Sequence, residues 1–489
     1  MLFNTAQYWL FFAAIVLAYF TLPVRFQQPL LLVASYWFYM AWDPRHGVLL
    51  AGCSLVAWAC GVLMENCDRD PSGAQTGRRR LIFILGMVAL FGVLFSYKYT
   101  GFFLDSLRDC LAWLGIRADI PRVSPFLPVG ISFFTFQSAS YVIDVFTRST
   151  PAVRSPFQVM LFVSFFPQLV AGPIERPDAL LPQLTKPHFF DFSRVPQGLA
   201  ICLWGLTKKV LIADMVAPVV ETVYSAPQNF PAQILILATV FFAIQIYCDF
   251  SGYSDIATGS AHILGIELMT NFRRPYMARS IAEFWQRWHI SLSTWFRDYV
   301  YIPLGGNRVP ALRWVFNIYT VFILSGLWHG AAWTFIAWGA LHGTYMLGQR
   351  WLGALVPQTV HRAFSAVVPA WLRGAAAVAT VFVLACGGWV FFRAGSMADA
   401  LAVFTGLANW SGFSVGQIWS LGLPRFEMML ALGSIAMLLA VEALIEHCPD
   451  WCRRVWAFTP VRWSLAIAQV YALLCFGVFR EVEFIYFQF

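Results

Sequence analysis

Apolar stretches long enough to cross, or nearly cross, a lipid bilayer recur along the whole chain. A membrane-spanning helix needs about 20 apolar residues, because each residue adds about 1.5 Å along the helix axis. The apolar stretches lie at 5–22, 29–42, 46–64, 81–99, 127–146, 157–172, 197–220, 231–250, 312–328, 331–349, 374–394, 428–446 and 462–479. Those at 29–42 and 157–172 are short enough to be re-entrant or tilted. The pattern predicts an all-α polytopic membrane protein with about 11–13 membrane helices.

The composition excludes an ordinary soluble domain. Hydrophobic residues make up 59% of the chain and charged residues 12%, against about 25% charged in an average soluble protein. The net charge of +8 would suggest a nucleic-acid partner in a soluble protein. Here the basic residues lie beside apolar stretches, where they set membrane orientation and attract anionic headgroups. We therefore expect contact with membrane lipid and none with nucleic acid.

The distribution of positive charge predicts how the chain is oriented in the membrane. No Lys or Arg precedes the first apolar stretch, and the first charge is Arg25, so the amino terminus does not resemble a cleaved signal peptide. The arginines of 65–80 predict a cytoplasmic loop, and Lys208 and Lys209 predict another. Both termini are then expected outside the cytoplasm.

The chain is predicted to form one membrane domain over 1–489, because no Pro/Ser-rich linker and no repeat of fixed period divides it. Its motifs lie within 127–350, and an aromatic tail follows at 479–489. Four prolines predict a structured loop at 172–190. The polar segment 249–259 predicts an interruption of the helix, which membrane depth tolerates only inside protein or around water. That segment is therefore expected to be internal.

The cysteines and histidines do not predict a metal centre. The ten cysteines are scattered, and most lie inside apolar stretches, where a thiol behaves as a small hydrophobic group. His447, Cys448 and Cys452 are close in sequence but lack a fourth ligand at a zinc-like spacing. We expect no bound metal.

His329 is the ionisable residue that most invites a functional explanation. It lies in Ser325-Gly326-Leu327-Trp328-His329-Gly330, within residues 314–349, which contain no Asp, Glu, Lys or Arg. An ionisable side chain inside a membrane is costly and is by default a functional candidate. A neutral imidazole is less costly than a full charge, so a hydrogen-bonded core histidine is the alternative. This residue alone does not decide between them.

A second histidine, His289, lies in a segment with helical periodicity. Residues 283–303 place aromatic and apolar side chains, Trp288 among them, on one face of a predicted helix. The polar remainder of that helix consists of Arg287, Arg297 and Asp298. Such a helix lies at the interface as an anchor, or re-enters the membrane. In the second case His289 on its inner side could face His329.

Two histidines inside a membrane suit acyl transfer. An alcohol attacks a thioester poorly at neutral pH, and a neutral imidazole that accepts its proton accelerates such a step by about 10²–10⁴-fold. Burial lowers the pKa of a histidine and keeps the ring neutral. A second polar group orients this base or holds the acyl oxygen. The sequence contains no HExxH or Walker motif that would indicate other chemistry.

Five sequence blocks resemble the membrane-bound O-acyltransferase family. They are FWQRWHISLSTWFRDYVYIPLGGNR (284–308), LSGLWHGAAWTFIAWGALHG (324–343), LPVGISFFTFQSASYVIDV (127–145), FFPQLVAGPIERPDALLPQL (165–184) and YCDFSGYSDIATG (247–259). The resemblance is to the bacterial branch that includes the alginate O-acetylation and teichoic acid D-alanyl transfer proteins. It covers nearly the whole chain, and the blocks occur in the family's order.

The resemblance implies a fold, a reaction and a location. His329 matches the family's catalytic histidine, and His289 matches its second position, which is often Asn elsewhere. The fold implied is a helical bundle with re-entrant segments around a central funnel, in the bacterial inner membrane. Acetyl-CoA is the implied donor, reached from the cytoplasm. An extracytoplasmic polysaccharide, alginate before cellulose or peptidoglycan, is the implied final acceptor. Separate extracytoplasmic proteins with a hydrolase-like domain would complete the transfer.

The tail and the remaining polar residues also have predicted roles. Phe484-Ile485-Tyr486-Phe487 resembles an aromatic tail motif of this branch, in which a tyrosine hydroxyl carries the acyl group. Tyr486 is therefore a candidate acyl relay, with an aromatic cluster at the membrane interface as the alternative. The residues expected in a donor-side or structural network are Arg287, Trp288, Arg297, Asp298, Asp249 and Asp255.

Two other functions are compatible with a polytopic membrane protein. A transporter or flippase of a polysaccharide export system would often show two corresponding halves with broken helices in both. The polar segments 249–259 and 325–330 do not resemble each other. A scaffold of a secretion complex would carry inert histidines, and replacing His329 separates it from an enzyme.

Overall fold

The computed structural model describes residues 1–68, 76–123, 126–170, 172–355, 366–479 and 484–485. Over these residues the protein is helical and contains no β-strand, as predicted. The first ten α-helices are α1 (Ala6–Thr21), α2 (Gln27–Met40), α3 (Pro44–Asp68), α4 (Thr76–Leu94), α5 (Thr100–Trp113), α6 (Ile131–Thr147), α7 (Pro156–Ser164), α8 (Phe166–Leu169), α9 (Pro177–Thr185) and α10 (Arg194–Leu206).

The remaining α-helices include the longest of the chain and those that carry both candidate histidines. They are α11 (Asp214–Tyr224), α12 (Ala232–Ile263), α13 (Ile281–Arg287), α14 (Ile290–Phe296), α15 (Ala311–His329), α16 (Trp333–Leu355), α17 (Ala370–Arg393), α18 (Met397–Gly406), α19 (Val415–Ile418), α20 (Arg425–His447), α21 (Pro449–Ala457) and α22 (Thr459–Phe476). Within the described part of the chain, π-helical segments interrupt this order at Phe95–Tyr99, Thr207–Ala213 and Arg297–Tyr301.

Seven helical segments among the described residues are long and apolar enough to cross a membrane: α3, Thr76–Trp113, α12, α15, α17, α20 and α22. The protein is thus a multi-pass membrane protein. The short apolar stretch at 29–42 folds as α2, whose 14 residues span about 21 Å. The stretch at 157–172 is divided between α7 and α8. The larger number predicted from the sequence therefore includes segments shorter than a bilayer.

The chain divides into two compact units. The first contains Met1–Cys202 and Ser254–Met269, and the second contains Leu203–Tyr253 and Thr270–Phe489. Helix α12 contributes residues to both units. The single membrane domain over 1–489 stays a prediction.

The first unit is built around mutual packing of α3, α4, α6 and α7. Arg79 is buried near the start of α4, where its guanidinium donates to the carbonyls of Val145 and Phe146 at 2.7 and 2.9 Å. A buried arginine needs such partners, because an unpaired charge away from water is strongly unfavourable. Helix α9 also belongs to this unit. It shows that the predicted loop at 172–190 contains one short helix, which begins at Pro177, a position where the missing N–H costs nothing.

The second unit places α15 against α16 at close range. A Cβ atom on Gly326 would collide with the carbonyl oxygen of Phe335, so glycine permits the two backbones to approach. This contact fixes the end of α15, where His329 lies.

Residues 249–259 do not interrupt α12, so the predicted break there is wrong. The helix continues without a break from Ala232 to Ile263, and within it Asp249 pairs with Lys209. At Gly252 a Cβ would lie 2.7 Å from the carbonyl oxygen of Gly205, so the small residue serves close helix packing. The expectation that the segment is internal is confirmed, since residues 249–254 are buried.

Candidate active site

His289 lies at a sharp break in the chain. Helix α13 ends at Arg287 and α14 begins at Ile290, and His289 between them has φ 43° and ψ 55°, in the left-handed region. Non-glycine residues seldom adopt this conformation, and such backbone strain clusters at functional sites. The single helix predicted over 283–303 is therefore wrong: two short helices and the π-helical Arg297–Tyr301 replace it.

Asn271 stabilises the break and determines which nitrogen of His289 carries the proton. The backbone carbonyl of Asn271 accepts from the Ile290 N–H at 2.9 Å. Its side-chain Oδ1 accepts from the Ser291 N–H at 3.2 Å and from Ser291 Oγ at 2.9 Å. The same Oδ1 lies 3.2 Å from His289 Nδ1, so Nδ1 is the nitrogen that donates and Nε2 carries the lone pair.

Burial keeps the His289 ring uncharged. Its side chain is 1% exposed, and this burial lowers the pKa of His289 to about 3. The ring of Phe250 lies edge-on at 4.6 Å, and Phe272 lies at 6.3 Å. At neutral pH the ring is therefore uncharged, and the Nε2 lone pair can accept a hydrogen bond.

His329 ends α15 in an aromatic surrounding. The residue is 3% exposed, and Gly330 leaves the helix in an extended conformation. Its ring lies 5.0 Å from Trp338 of α16 and 5.2 Å from Phe392 of α17. The ring centroids of His329 and His289 are 6.4 Å apart, at an angle of 60°. The structure thus brings the two predicted histidines together, close enough for both to act on one small group.

Trp288 belongs to the core beside this pair and not to a lipid interface. It is fully buried, and its ring lies 4.8 Å from Trp389, 5.1 Å from Phe272 and 5.6 Å from Phe284. Such ring contacts add to the free energy gained by burial. The aromatic face predicted for this segment therefore packs inward and helps to exclude water from the histidines.

Arg287 forms an ion-pair group with two glutamates. Its Nη2 lies 2.6 Å from Glu283 and 2.7 Å from Glu446, and Arg274 Nε lies 2.8 Å from Glu446. These side chains are partly buried, so they tie the end of α20 to α13 more firmly than exposed pairs would. The other predicted network residues, Arg297 and Asp298, pair with each other at 2.7 Å.

Asp249 lies in a buried charge cluster that the sequence did not reveal. Lys209 Nζ lies 2.7 Å from Asp249 and 2.7 Å from Asp214, and all three side chains are almost fully buried. Lys208 and Lys209 lie in the π-helical Thr207–Ala213, so the cytoplasmic loop predicted for them is wrong. The two carboxylates offset the cost of burying the Lys209 ammonium. Asp255, half-buried further along α12, lies in the first unit.

The candidate relay Tyr486 lies outside the described residues. Its neighbours Phe484 and Ile485 are described and buried. The Phe484 ring lies 4.6 Å from Tyr253 and 5.4 Å from Phe250, the residue whose ring contacts His289.

Several residues of this site could not be predicted from the sequence. Asn271 lies in a loop without periodicity or motif. Trp338 and Phe392 resemble ordinary membrane aromatics, and only the fold brings them to His329. Asp214, five residues after Lys209, was the available signal for a buried ion pair. Among the described residues, no group of three His, Cys, Asp or Glu side chains could hold a metal.

These features define a polytopic helical membrane enzyme with a buried pair of histidines, and comparison with known proteins identifies its family. The chain belongs to the membrane-bound O-acyltransferase family, whose model matches residues 134–382 and includes both histidines. The protein is therefore an acyltransferase.

Several relatives align with most of the chain. The probable alginate O-acetylase AlgI of Pseudomonas aeruginosa is 35% identical over 420 residues, 86% of this chain and 77% of the relative. Its namesake in Azotobacter vinelandii is 36% identical over 452 residues, 91% and 85% of the two chains. The peptidoglycan O-acetyltransferase of Helicobacter pylori is 33% identical over 457 residues, 85% and 81% of the two chains.

Proposed function

We propose that the protein transfers acetyl groups from cytoplasmic acetyl-CoA across the bacterial inner membrane, for O-acetylation of an extracytoplasmic polysaccharide, alginate. The observation that carries the proposal is the buried pair of His289 and His329, inside the region that matches the acyltransferase family. The names of the relatives with 35% and 36% identity support acetyl as the group and alginate as the acceptor.

The proposed reaction requires one base at the acceptor hydroxyl. His329 accepts the hydroxyl proton as the acceptor oxygen bonds to the thioester carbonyl carbon. The carbon–sulfur bond then breaks, and the proton passes to the departing thiolate, which gives an ester and a free thiol. Neutral His289 presents a lone pair on Nε2, which cannot donate to the acyl oxygen. This favours a role for His289 in orienting the base or the hydroxyl.

The donor and partner assignments rest on the same resemblance. The phosphates of acetyl-CoA suit a protein of net charge +8, whose exposed arginines include Arg273 and Arg279 just before α13. Separate extracytoplasmic proteins with a hydrolase-like domain would complete the transfer to the polymer, as the resemblance to the family implies. We also propose extracytoplasmic positions for both termini, from the placement of positive charge.

Peptidoglycan is the alternative acceptor that a specific observation favours. The peptidoglycan enzyme of Helicobacter pylori is nearly as similar to this chain as the alginate relatives are. Cells that express the protein with its partners, and that make both polymers, would distinguish the two. Acetyl esters should appear on alginate. Their appearance on peptidoglycan alone would overturn alginate as acceptor and leave acetyl transfer intact.

The role of His329 can be tested in the same cells. His329→Ala should lower polymer acetylation by about 10²-fold or more, since the proton acceptor is lost. His447→Ala, an exposed histidine at the end of α20, is the control. Ester content is measured at matched membrane expression. Unchanged acetylation in His329→Ala would refute this base and favour a scaffold with inert histidines.

A further inference from the structure

The described end of the carboxy-terminal tail is held at two points in the second unit. Just after α22, the Val478 N–H donates to the carbonyl of Val210 in the π-helical segment at 3.3 Å. Seven residues later, the Ile485 N–H donates to Asp249 Oδ2 at 2.8 Å. Both contacts use backbone N–H groups, so they hold Val478 and Ile485 independently of the side chains of these residues.

In the second contact, the two oxygens of the Asp249 carboxylate have different partners. Asp249 Oδ1 pairs with Lys209 at 2.7 Å, while Oδ2 accepts the Ile485 N–H. Lys209 also pairs with Asp214, so two buried carboxylates share one ammonium group. A backbone N–H is a favourable further partner for Asp249, because hydrogen bonds to ionised acceptors are the stronger ones.

Side chains continue this contact toward the active site. Phe484 is fully buried between Phe250 and Tyr253, and Phe250 also contacts His289 with its ring edge. In α12, Asp249 therefore binds the tail, and the next residue, Phe250, contacts His289. The residue that follows Ile485 in sequence is Tyr486, the candidate acyl carrier.

We propose that Asp249, held by Lys209, is a positioning residue that anchors the carboxy-terminal tail beside His289 through the backbone N–H of Ile485. The purpose we propose for this anchor is to hold the end of the tail at the site of acyl transfer. That purpose rests on the proposed function. The anchor itself is a structural property that can be measured without any turnover.

Amide hydrogen exchange tests the anchor directly. The full-length protein in lipid nanodiscs is compared with Asp249→Asn, which keeps the shape of the side chain but removes its charge. Exchange in the peptide 479–489 should become about tenfold faster or more, while exchange in α15 stays unchanged. Tail exchange within threefold of wild type in a folded Asp249→Asn protein would overturn the proposal.

A second pair of variants tests the backbone contact without altering the buried cluster. Ile485→Pro removes the N–H that Asp249 accepts, and Ile485→Val keeps it with a similar side chain. We expect faster tail exchange and at least tenfold slower acetyl transfer in Ile485→Pro, with both near wild type in Ile485→Val. Equal exchange and transfer in the two variants would contradict the anchor.

Different results would refute the anchor and the proposed function. If wild type transfers no acetyl group but Asp249→Asn still loosens the tail, the anchor stands and the proposed function falls. If wild type is active and neither Asp249→Asn nor Ile485→Pro changes tail exchange, the function stands and the anchor falls.

Discussion

At the scale of single residues, the left-handed backbone conformation of His289 is the main local feature of the active site. A left-handed non-glycine residue costs about 1–2 kcal/mol, and Asn271 offsets this cost by accepting from Ile290, Ser291 and His289. The same bonds fix the proton on Nδ1. Asn271 therefore both stabilises the left-handed conformation of His289 and fixes the tautomer of its ring.

His289→Gly and His289→Ala form a matched pair that tests this strain. Both lose the imidazole, so both should lose most acetyl transfer. Only Ala keeps a Cβ in the left-handed conformation, so the Gly variant should be more stable by about 1 kcal/mol. Thermal unfolding in detergent measures the difference. An Ala variant as stable as the Gly variant would argue against strain at this position.

The lowered pKa of His289 predicts a pH dependence of stability. The folded protein resists protonation of this ring until pH about 3, whereas the unfolded chain takes up the proton near pH 6.5. Stability is therefore fully present above pH 6.5 and falls as the pH decreases below it, by up to about 1.4 kcal/mol per unit. His289→Gln should show a smaller loss of melting temperature between pH 7 and pH 5. An equal loss in both proteins would contradict neutral burial of His289.

At the scale of helices, the sequence predicted periodic structure well and interruptions poorly. Apolar periodicity located the segments that became α12, α15 and α17. It predicted one helix where α13 and α14 stand, because the break depends on Asn271, a residue outside the segment. It also predicted a break in α12, because polar residues there bond to partners distant in sequence, as Asp249 does with Lys209.

The contact between α15 and α16 makes a prediction at this scale. Gly326→Ala places a methyl group against the backbone of Phe335, so it should destabilise the protein by about 1–3 kcal/mol and disturb His329. Gly348→Ala on α16 is the matched control, because its added Cβ meets no atom within 4 Å. Melting temperatures in detergent give the comparison. Equal melting temperatures for the two variants would show that the helices can separate without penalty.

At the scale of the whole molecule, the sequence predicted the class of protein more completely than the site. Hydropathy was sufficient for an all-helical membrane protein, and the motif blocks were sufficient for the family, which the comparison confirms. The pairing of His289 with His329 was also anticipated. The roles of Asn271, Lys209 and Asp214 were not, because each depends on contacts that no local pattern encodes.

The central claim is that the buried histidines carry out acyl transfer from a thioester. Purified protein in nanodiscs, supplied with acetyl-CoA, its partner proteins and the polysaccharide, permits the release of free CoA to be followed directly. We predict acceptor-dependent release by wild type and by His447→Ala, and a rate lower by about 10²-fold or more in His329→Ala. Release by His329→Ala at the wild-type rate would contradict the account.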